Sequence, residues 1–205
     1  LSYRVLATLV NGERLVEAEE LARWLVSEQP ESAERHIALG RVLAKNREFS
    51  AAIGAFQRAR ALDPRGVRVT KPLVEALAAL GRIDETVSEL ERAISIEPAL
   101  AAEHSSLVFQ MPFSDRYDAQ AQLAAARRWS DVHARPLLAK RRSHPHDRDP
   151  ERRLRVGYVS PDFRKHVQRL FTLPVFSHHD HAAFHIIGYS SVKSPDPYTH
   201  QLQAL

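Results

Sequence analysis

The sequence predicts a mainly α-helical solenoid followed by the start of an α/β layer. Three prolines, Pro30, Pro64 and Pro98, stand at equal intervals, and the residues between them repeat one pattern of small and bulky side chains. Their interval matches the period of about 34 residues that is typical of stacked helical hairpins. After residue 150 the pattern changes to short β-rich runs separated by a helical run, which is typical of a parallel sheet.

The middle unit, residues 33–66, carries the clearest repeat. Gly40 and Ala52 are small enough to let two antiparallel helices cross closely, while Leu43 and Phe56 fill the space beside them. This unit strongly resembles a tetratricopeptide repeat. The units before and after it are degenerate but keep the same register, so the sequence predicts a continuous array.

Proline and glycine mark the predicted ends of the helices. Because proline cannot continue a helix and restricts the residue before it, we expect helix ends at Gln29, Asp63 and Glu97. The turn inside each hairpin is predicted at three dipeptides whose Gly or Asn tolerates a left-handed backbone: Asn11-Gly12, Asn46-Arg47 and Gly81-Arg82.

Three regions are predicted along the chain. Residues 1–110 form the repeats and a capping helix, residues 111–150 form a linking helix and a linker rich in proline and arginine, and residues 151–205 form the incomplete beginning of an α/β lobe. The linking helix is expected over residues 115–133, with Ser114 or Asp115 as its N-cap. Since helical patterns are cut at both termini, we expect the sequence to be part of a longer protein.

The α/β region is predicted from two β-rich runs that flank a helical one. Strands are expected over residues 155–160 and 184–190, and a helix over residues 167–178 that contains Pro174. A strand, a helix and a strand in this order form a parallel unit, and ligands gather beyond the carboxyl ends of such strands. The chemistry is therefore expected in the loop 160–166.

Composition narrows the class of protein. With 44% hydrophobic and 26% charged residues the chain is typical of a soluble protein, and no apolar run reaches the roughly 20 residues that span a bilayer. The sequence has no cysteine, which excludes disulfides, thiolate nucleophiles and cysteine-based zinc sites, and we expect a cytoplasmic location. The net charge of +4 gives no general case for nucleic-acid binding. The basic stretch 140–165 is interpreted as a solvated linker, with a phosphate-binding patch as the alternative.

Other combinations of reactive side chains lack the spacing of a site. A metal site in the run 178–181 is disfavoured because neighbouring residues rarely converge on one ion, and the same holds for His144 and His146. Ser160, Asp162 and His166 have the residue types of a hydrolytic triad but lack the flanking glycines of a nucleophile elbow. No metal and no cofactor is expected.

The segment LRVGYVSPDFRKH, residues 154–166, resembles the opening of the catalytic domain in the O-linked N-acetylglucosamine transferase and SPINDLY-like family. The order of modules also matches, because the repeats lead into HSSLVF at residues 104–109, an Arg-Arg-Trp helix end, and DPERRLRVG at residues 149–157. The resemblance covers nearly the whole chain. It implies a two-lobed glycosyltransferase-B fold whose first, Rossmann-like lobe begins in this region.

The same resemblance implies an activity. Family members transfer a sugar from a nucleotide sugar, usually UDP-N-acetylglucosamine, to Ser or Thr hydroxyls of proteins, and some relatives transfer fucose. By resemblance His166 lies beside the active-site cleft, where a general-base role and a positioning role are both open. Asp162 is expected to cap the following helix or to orient the loop. The family's second lobe holds most nucleotide-sugar contacts, so this chain alone is expected to be inactive.

Acceptor polypeptides are expected to bind the repeats. The family's longer arrays line their groove with asparagines, whereas this chain has Arg4, Ala38 and Pro72 at the corresponding positions. A solvated charged face is therefore the favoured interpretation of this surface, and a different protein-binding groove is the alternative. Its residues are Glu34, Arg41, Arg68, Lys71 and Glu75. A non-catalytic repeat scaffold is the alternative to an enzyme.

Overall fold

The structure, a computed structural model, describes residues 2–142, 149 and 151–205. It divides into two compact units, residues 1–141 and 142–205. The division falls within the region that the sequence analysis assigned to a linking helix and linker. The interpretation of His144, His146 and the middle of the basic stretch lies outside the described residues.

The first unit is an array of antiparallel helical hairpins. Each helix packs on the one before it and the one after it in the chain. Leu39, Leu73 and Leu107 are all buried and lie one repeat period apart, which confirms the predicted repeat. The helices are α1 (Ser2–Asn11), α2 (Leu15–Glu28), α3 (Ala33–Lys45), α4 (Phe49–Leu62), α5 (Thr70–Ala79), α6 (Ile83–Ile96), α7 (Ala101–Gln110) and α8 (Ala119–Trp129).

Two predictions about the hairpins are confirmed. The C-cap residues of α2, α4 and α6 are Gln29, Asp63 and Glu97, each directly before a proline. The close crossing in the middle hairpin is also present, because a Cβ atom built on Gly40 would lie 2.4 Å from Cε1 of Phe56. Phe56 is fully buried in the core cluster of the first unit, so the ring cannot swing out into solvent.

Two of the three turns inside the hairpins differ in detail from the prediction, whereas the left-handed backbone at Gly81 is confirmed. The left-handed residues are Glu13, Arg47 and Gly81, with φ of 57°, 65° and 69°. Arg47 therefore takes this conformation instead of Asn46, and Glu13 takes it instead of Asn11 or Gly12. Each turn is closed by the same kind of hydrogen bond. The residue directly after the left-handed one donates its N–H to the carbonyl oxygen five residues before it. The repeat geometry thus overrides the local preference for Gly or Asn.

The linking helix is shorter than predicted. Helix α8 begins at Ala119, and its N-cap is Asp118, whose carboxylate accepts a hydrogen bond from the Ala121 N–H at 2.7 Å. The assignment of Ser114 or Asp115 as the N-cap was wrong, because Ser114 is buried and donates its hydroxyl to Asp84. A π-helical turn, Ser130–Ala134, and a 3-10 segment, Arg135–Lys140, follow α8.

The second unit is a strand–helix–strand layer with a short final helix. Strands β1 (Leu154–Ser160) and β2 (Phe184–Ser190) pair in parallel, and α9 (Arg169–Ser177) connects them. This confirms the predicted order and the parallel pairing. Helix α10 (Pro197–Gln203) closes the unit, and Phe163, Phe176 and Tyr198 are its buried aromatic side chains. Among the helices of residues 2–142 and 151–205, none is long and apolar enough to cross a membrane.

Candidate functional site

The loop that carries His166 follows the carboxyl end of β1. Its first turn is closed by the Asp162 N–H, which donates to the Ser160 hydroxyl at 3.0 Å. Phe163 anchors the loop, because its ring is buried against Phe176 of α9 with ring centroids 5.6 Å apart. The loop therefore has a defined course at the edge of the sheet where parallel strands place ligands.

His166 is half-buried and tied to the backbone that follows it. Its Nδ1 accepts a hydrogen bond from the Gln168 N–H at 3.3 Å, and its carbonyl oxygen accepts one from the Arg169 N–H at the start of α9. With Nδ1 as the acceptor, a neutral ring carries its proton on Nε2. In this form Nε2 is a hydrogen-bond donor.

Asp162 pairs with Arg164 in the same loop, at 3.3 Å between carboxylate and guanidinium. It does not cap α9, because the N-cap position of that helix is Gln168 and has no side-chain cap bond. Its expected role in orienting the loop stays a prediction.

Sequence reasoning missed Asp196, which ties the loop to α10. Its Oδ2 accepts the Lys165 N–H at 2.6 Å, and its Oδ1 accepts the Thr199 N–H at 2.9 Å. The hydroxyl of Thr199 in turn donates to the Phe163 carbonyl oxygen at 2.7 Å. The bonds that the Asp196 carboxylate accepts, first of all the one from the Lys165 N–H, lower the pKa of Asp196. The capping box of Asp196 and Thr199 was readable in the sequence, but its contact with a loop far away along the chain was not.

Three side chains of the run 178–181 have separate partners. His178 Nδ1 contacts the Pro174 carbonyl oxygen at 2.9 Å, His179 Nε2 contacts the Tyr158 hydroxyl at 2.9 Å, and Asp180 accepts the Ala182 N–H at 2.8 Å. Within residues 2–142, 149 and 151–205, no group of three or more His, Asp or Glu side chains is arranged to hold a metal ion.

The predicted protein-binding groove is partly assembled. Glu34, Arg41 and Arg68 line one cavity of about 230 Å³, together with Ile37 and Ala38. Glu34 and Arg68 form an exposed ion pair at 2.6 Å. The structure does not bring Lys71 and Glu75 into this cavity, although both are exposed on the neighbouring α5.

A second feature that the sequence did not reveal is a histidine pair between α7 and the π-helical turn. His104 is 1% exposed, and its Nδ1 lies 3.0 Å from Nε2 of His133. The ring of His133 also contacts Trp129, with centroids 5.6 Å apart. Burial, followed by the nearby His133 and Arg128, lowers the pKa of His104.

We expect this pair to make the stability of the first unit pH-dependent. An unfolded His104 binds a proton near pH 6.5, whereas the folded one binds it only at lower pH. The free energy of unfolding should therefore fall as the pH drops from about 7 through the unfolded pKa towards the folded one. Thermal unfolding between about pH 5 and 8 measures this. His104→Gln should flatten the dependence and the exposed His200→Gln should not; equal pH slopes for all three proteins would contradict the assignment.

Comparison with known proteins places these features in context. A family model described as tetratricopeptide repeat matches residues 8–67 and 37–102. The chain thus contains tetratricopeptide repeats, and a strand–helix–strand unit follows them. A solved structure of MamA (20% identity, TM-score 0.59, covering 69% of this chain and 76% of that one) shares the fold of the part of this chain that it covers.

The more specific similarity is to sugar transferases. A mutant of Thermobaculum terrenum O-GlcNAc transferase is 28% identical, has a TM-score of 0.71, and covers 99% of this chain and 40% of that one. The probable UDP-N-acetylglucosamine–peptide N-acetylglucosaminyltransferase SPINDLY of Arabidopsis thaliana is 36% identical over 56 residues, 27% of this chain. That of Petunia hybrida is 34% identical over 67 residues, 33% of this chain. The matches span only 6% and 7% of these two relatives. The resemblance to the O-GlcNAc transferase and SPINDLY group is thereby confirmed.

Proposed function

We propose that the chain is the N-terminal portion of a protein O-glycosyltransferase. It would transfer a sugar, N-acetylglucosamine from UDP-N-acetylglucosamine, to Ser or Thr hydroxyls of polypeptides that the repeats recruit. The observation that carries the proposal is the similarity to an O-GlcNAc transferase over 99% of the chain. A match of that extent includes the β1–α9–β2 unit as well as the repeats. In this proposal the unit is the start of a Rossmann-like lobe, and the protein acts in the cytoplasm.

The chemistry of this transfer assigns a specific task to His166. The acceptor hydroxyl oxygen attacks the anomeric carbon of the sugar, the bond from that carbon to the phosphate oxygen breaks, and the nucleoside diphosphate leaves. The hydroxyl proton passes to a base. Because Nδ1 of His166 already accepts the Gln168 N–H, the Nε2–H would donate to the acceptor or sugar and hold the two in line. This geometry supports the positioning role over the base role.

The proposal is tested with the intact protein that contains these residues. Transfer from UDP-N-acetylglucosamine to a protein acceptor should fall by about 10²-fold or more in His166→Ala, the scale of a lost positioning or proton-transfer group. The exposed His200→Ala is the matched control and should retain the rate. His166→Gln keeps an N–H donor, so it should recover part of the rate if the ring positions the substrates and none if the ring is the base. Undiminished transfer in His166→Ala would remove this residue from the site.

A non-catalytic repeat scaffold is the second candidate. It is favoured by the extent of the repeat family match, residues 8–102, which lies wholly in the first unit. Binding of UDP-sugars and GDP-sugars to the intact protein separates the two candidates. Binding of neither donor would support the scaffold, and binding of one would identify the nucleotide.

A further inference from the structure

The odd-numbered helices present one row of equivalent positions. In a solenoid, residues one repeat apart occupy equivalent places on successive units. Arg41 on α3, Glu75 on α5 and Phe109 on α7 follow one another at the repeat period, and all three are exposed. The residue two positions after each of them is buried, so the three residues have the same register in their repeats. These buried residues are Leu43, Leu77 and Met111. We call Arg41, Glu75 and Phe109 the recognition row.

The α3 end of the recognition row is cationic. Arg41 lines the 230 Å³ cavity, and it has no hydrogen bond or ion pair through its guanidinium within the described ranges 2–142 and 151–205. The acid that lines the same cavity, Glu34, is already paired with Arg68 at 2.6 Å. A guanidinium in this situation is a ready partner for an external carboxylate, which it can bind through two parallel N–H bonds.

The α7 end of the row is aromatic. Phe109 is 66% exposed, and beside it Phe113 is 63% exposed, with the ring centroids 5.7 Å apart. Single exposed apolar residues are common on protein surfaces, but two contacting phenylalanine rings form an apolar platform of the kind that anchors bulky side chains. Between the two ends lies the exposed carboxylate of Glu75, which disfavours a second acidic residue in the middle of a bound segment.

We propose that the recognition row binds an extended acceptor segment with a carboxylate at one end and a bulky apolar side chain at the other. Helix α3 contacts α5, and helix axes in contact lie about 8–10 Å apart, so two such repeat steps from α3 to α7 correspond to roughly 20 Å. An extended chain rises about 3.3 Å per residue, so the two anchors should be about six residues apart. This inference rests on the proposed function and names the acceptor it prefers.

Peptide binding to the intact protein, without nucleotide sugar, tests the inference. The probe is a short fluorescein-labelled peptide, otherwise Gly and Ser, with Glu and Phe separated by the six-residue spacing and made in both orders. Arg41→Glu and Phe109→Ala should each weaken the affinity by about tenfold, the scale of losing one anchor. The matched controls are Arg65→Glu in the α4–α5 turn and Leu123→Ala on α8, both exposed, and neither should weaken binding more than twofold.

Exchanging the charges of the protein and the peptide is the decisive test. Arg41→Glu should bind the peptide with Lys in place of Glu more tightly than the unchanged protein binds that peptide. A two-residue spacing between the anchors should bind about tenfold more weakly than the six-residue spacing, because only one anchor is then engaged. Equal affinity for both spacings, or equal loss in Arg65→Glu, would overturn the inference. The assay contains no nucleotide sugar, so a failure of peptide binding would not contradict sugar transfer. Conversely, failed sugar transfer with intact peptide binding would overturn only the proposed function.

Discussion

Gly40→Leu is expected to lower the free energy of unfolding by about 3 kcal/mol, the upper end of the cost of overpacking a core. The first added carbon would already lie 2.4 to 2.8 Å from three ring atoms of Phe56. Those distances are shorter than any van der Waals contact, and the ring cannot retreat because Phe56 is fully buried. The helices α3 and α4 must therefore separate. Urea denaturation followed by circular dichroism measures the change.

Gly54→Ala on α4 is the matched control for this experiment. A Cβ atom at Gly54 meets no atom within 4 Å, and Gly54 lies inside a helix. Alanine there should raise the free energy of unfolding by about 0.5–1 kcal/mol through helix propensity alone. A second variant, Gly40→Ala with Phe56→Leu, should recover part of the stability lost by Gly40→Ala. If Gly40→Leu unfolds at the same urea concentration as the unchanged protein, the close helix crossing is wrong.

Glu89→Ala is expected to cost about 2–3 kcal/mol, because it leaves the buried Thr70 hydroxyl and two partly exposed guanidinium groups without their acceptor. Glu89 is 2% exposed. Its carboxylate accepts the Thr70 hydroxyl at 3.0 Å, Arg92 at 2.7 Å and Arg60 at 3.0 Å, so it joins α4, α5 and α6. The cost lies below that of a fully buried ion pair because Arg60 and Arg92 reach water, with side chains 39% and 24% exposed.

The pH dependence of the free energy of unfolding at acid pH tests the role of Glu89 independently. Burial raises the pKa of this carboxyl, but the hydrogen bonds from Arg92, Arg60 and Thr70 outweigh it, and the folded pKa is lowered. The stabilisation is therefore present above the unfolded pKa and is lost as the pH falls through the folded one. Glu85→Ala on the same helix is the control, since that side chain is half exposed and its loss should cost under about 0.5 kcal/mol. Equal effects of the two substitutions would contradict the bridging role of Glu89.

The repeat array could be predicted because its information is local and periodic. Pro30, Pro64 and Pro98 fix the helix ends, and Gly40 opposite Phe56 fixes the crossing. The start of α8 could not be predicted, since Ser114, Asp115 and Asp118 are all suitable N-caps and lie close together in the sequence. The choice depends on a tertiary contact, because the Ser114 hydroxyl is already bound to Asp84, 30 residues earlier.

The candidate site was predictable only in its position. The order of strand, helix and strand located the loop at the end of β1, and the resemblance singled out His166. Asp196 contacts the loop at Lys165, which lies 31 positions earlier in the chain. His104 and His133 are 29 positions apart. Neither pair belongs to a repeating pattern, so nothing in the linear sequence couples them.

The carboxylate of Asp196 has a consequence for how future mutants are interpreted. One oxygen starts α10 and the other fixes the Lys165 amide, so a single side chain couples the onset of a helix to the course of the loop that bears His166. Under the proposed function, a substitution there would lower sugar transfer while removing no reacting group. Sugar-transfer defects that map to residues 196–199 should therefore be checked for a shifted loop before any of these residues is placed in the chemistry.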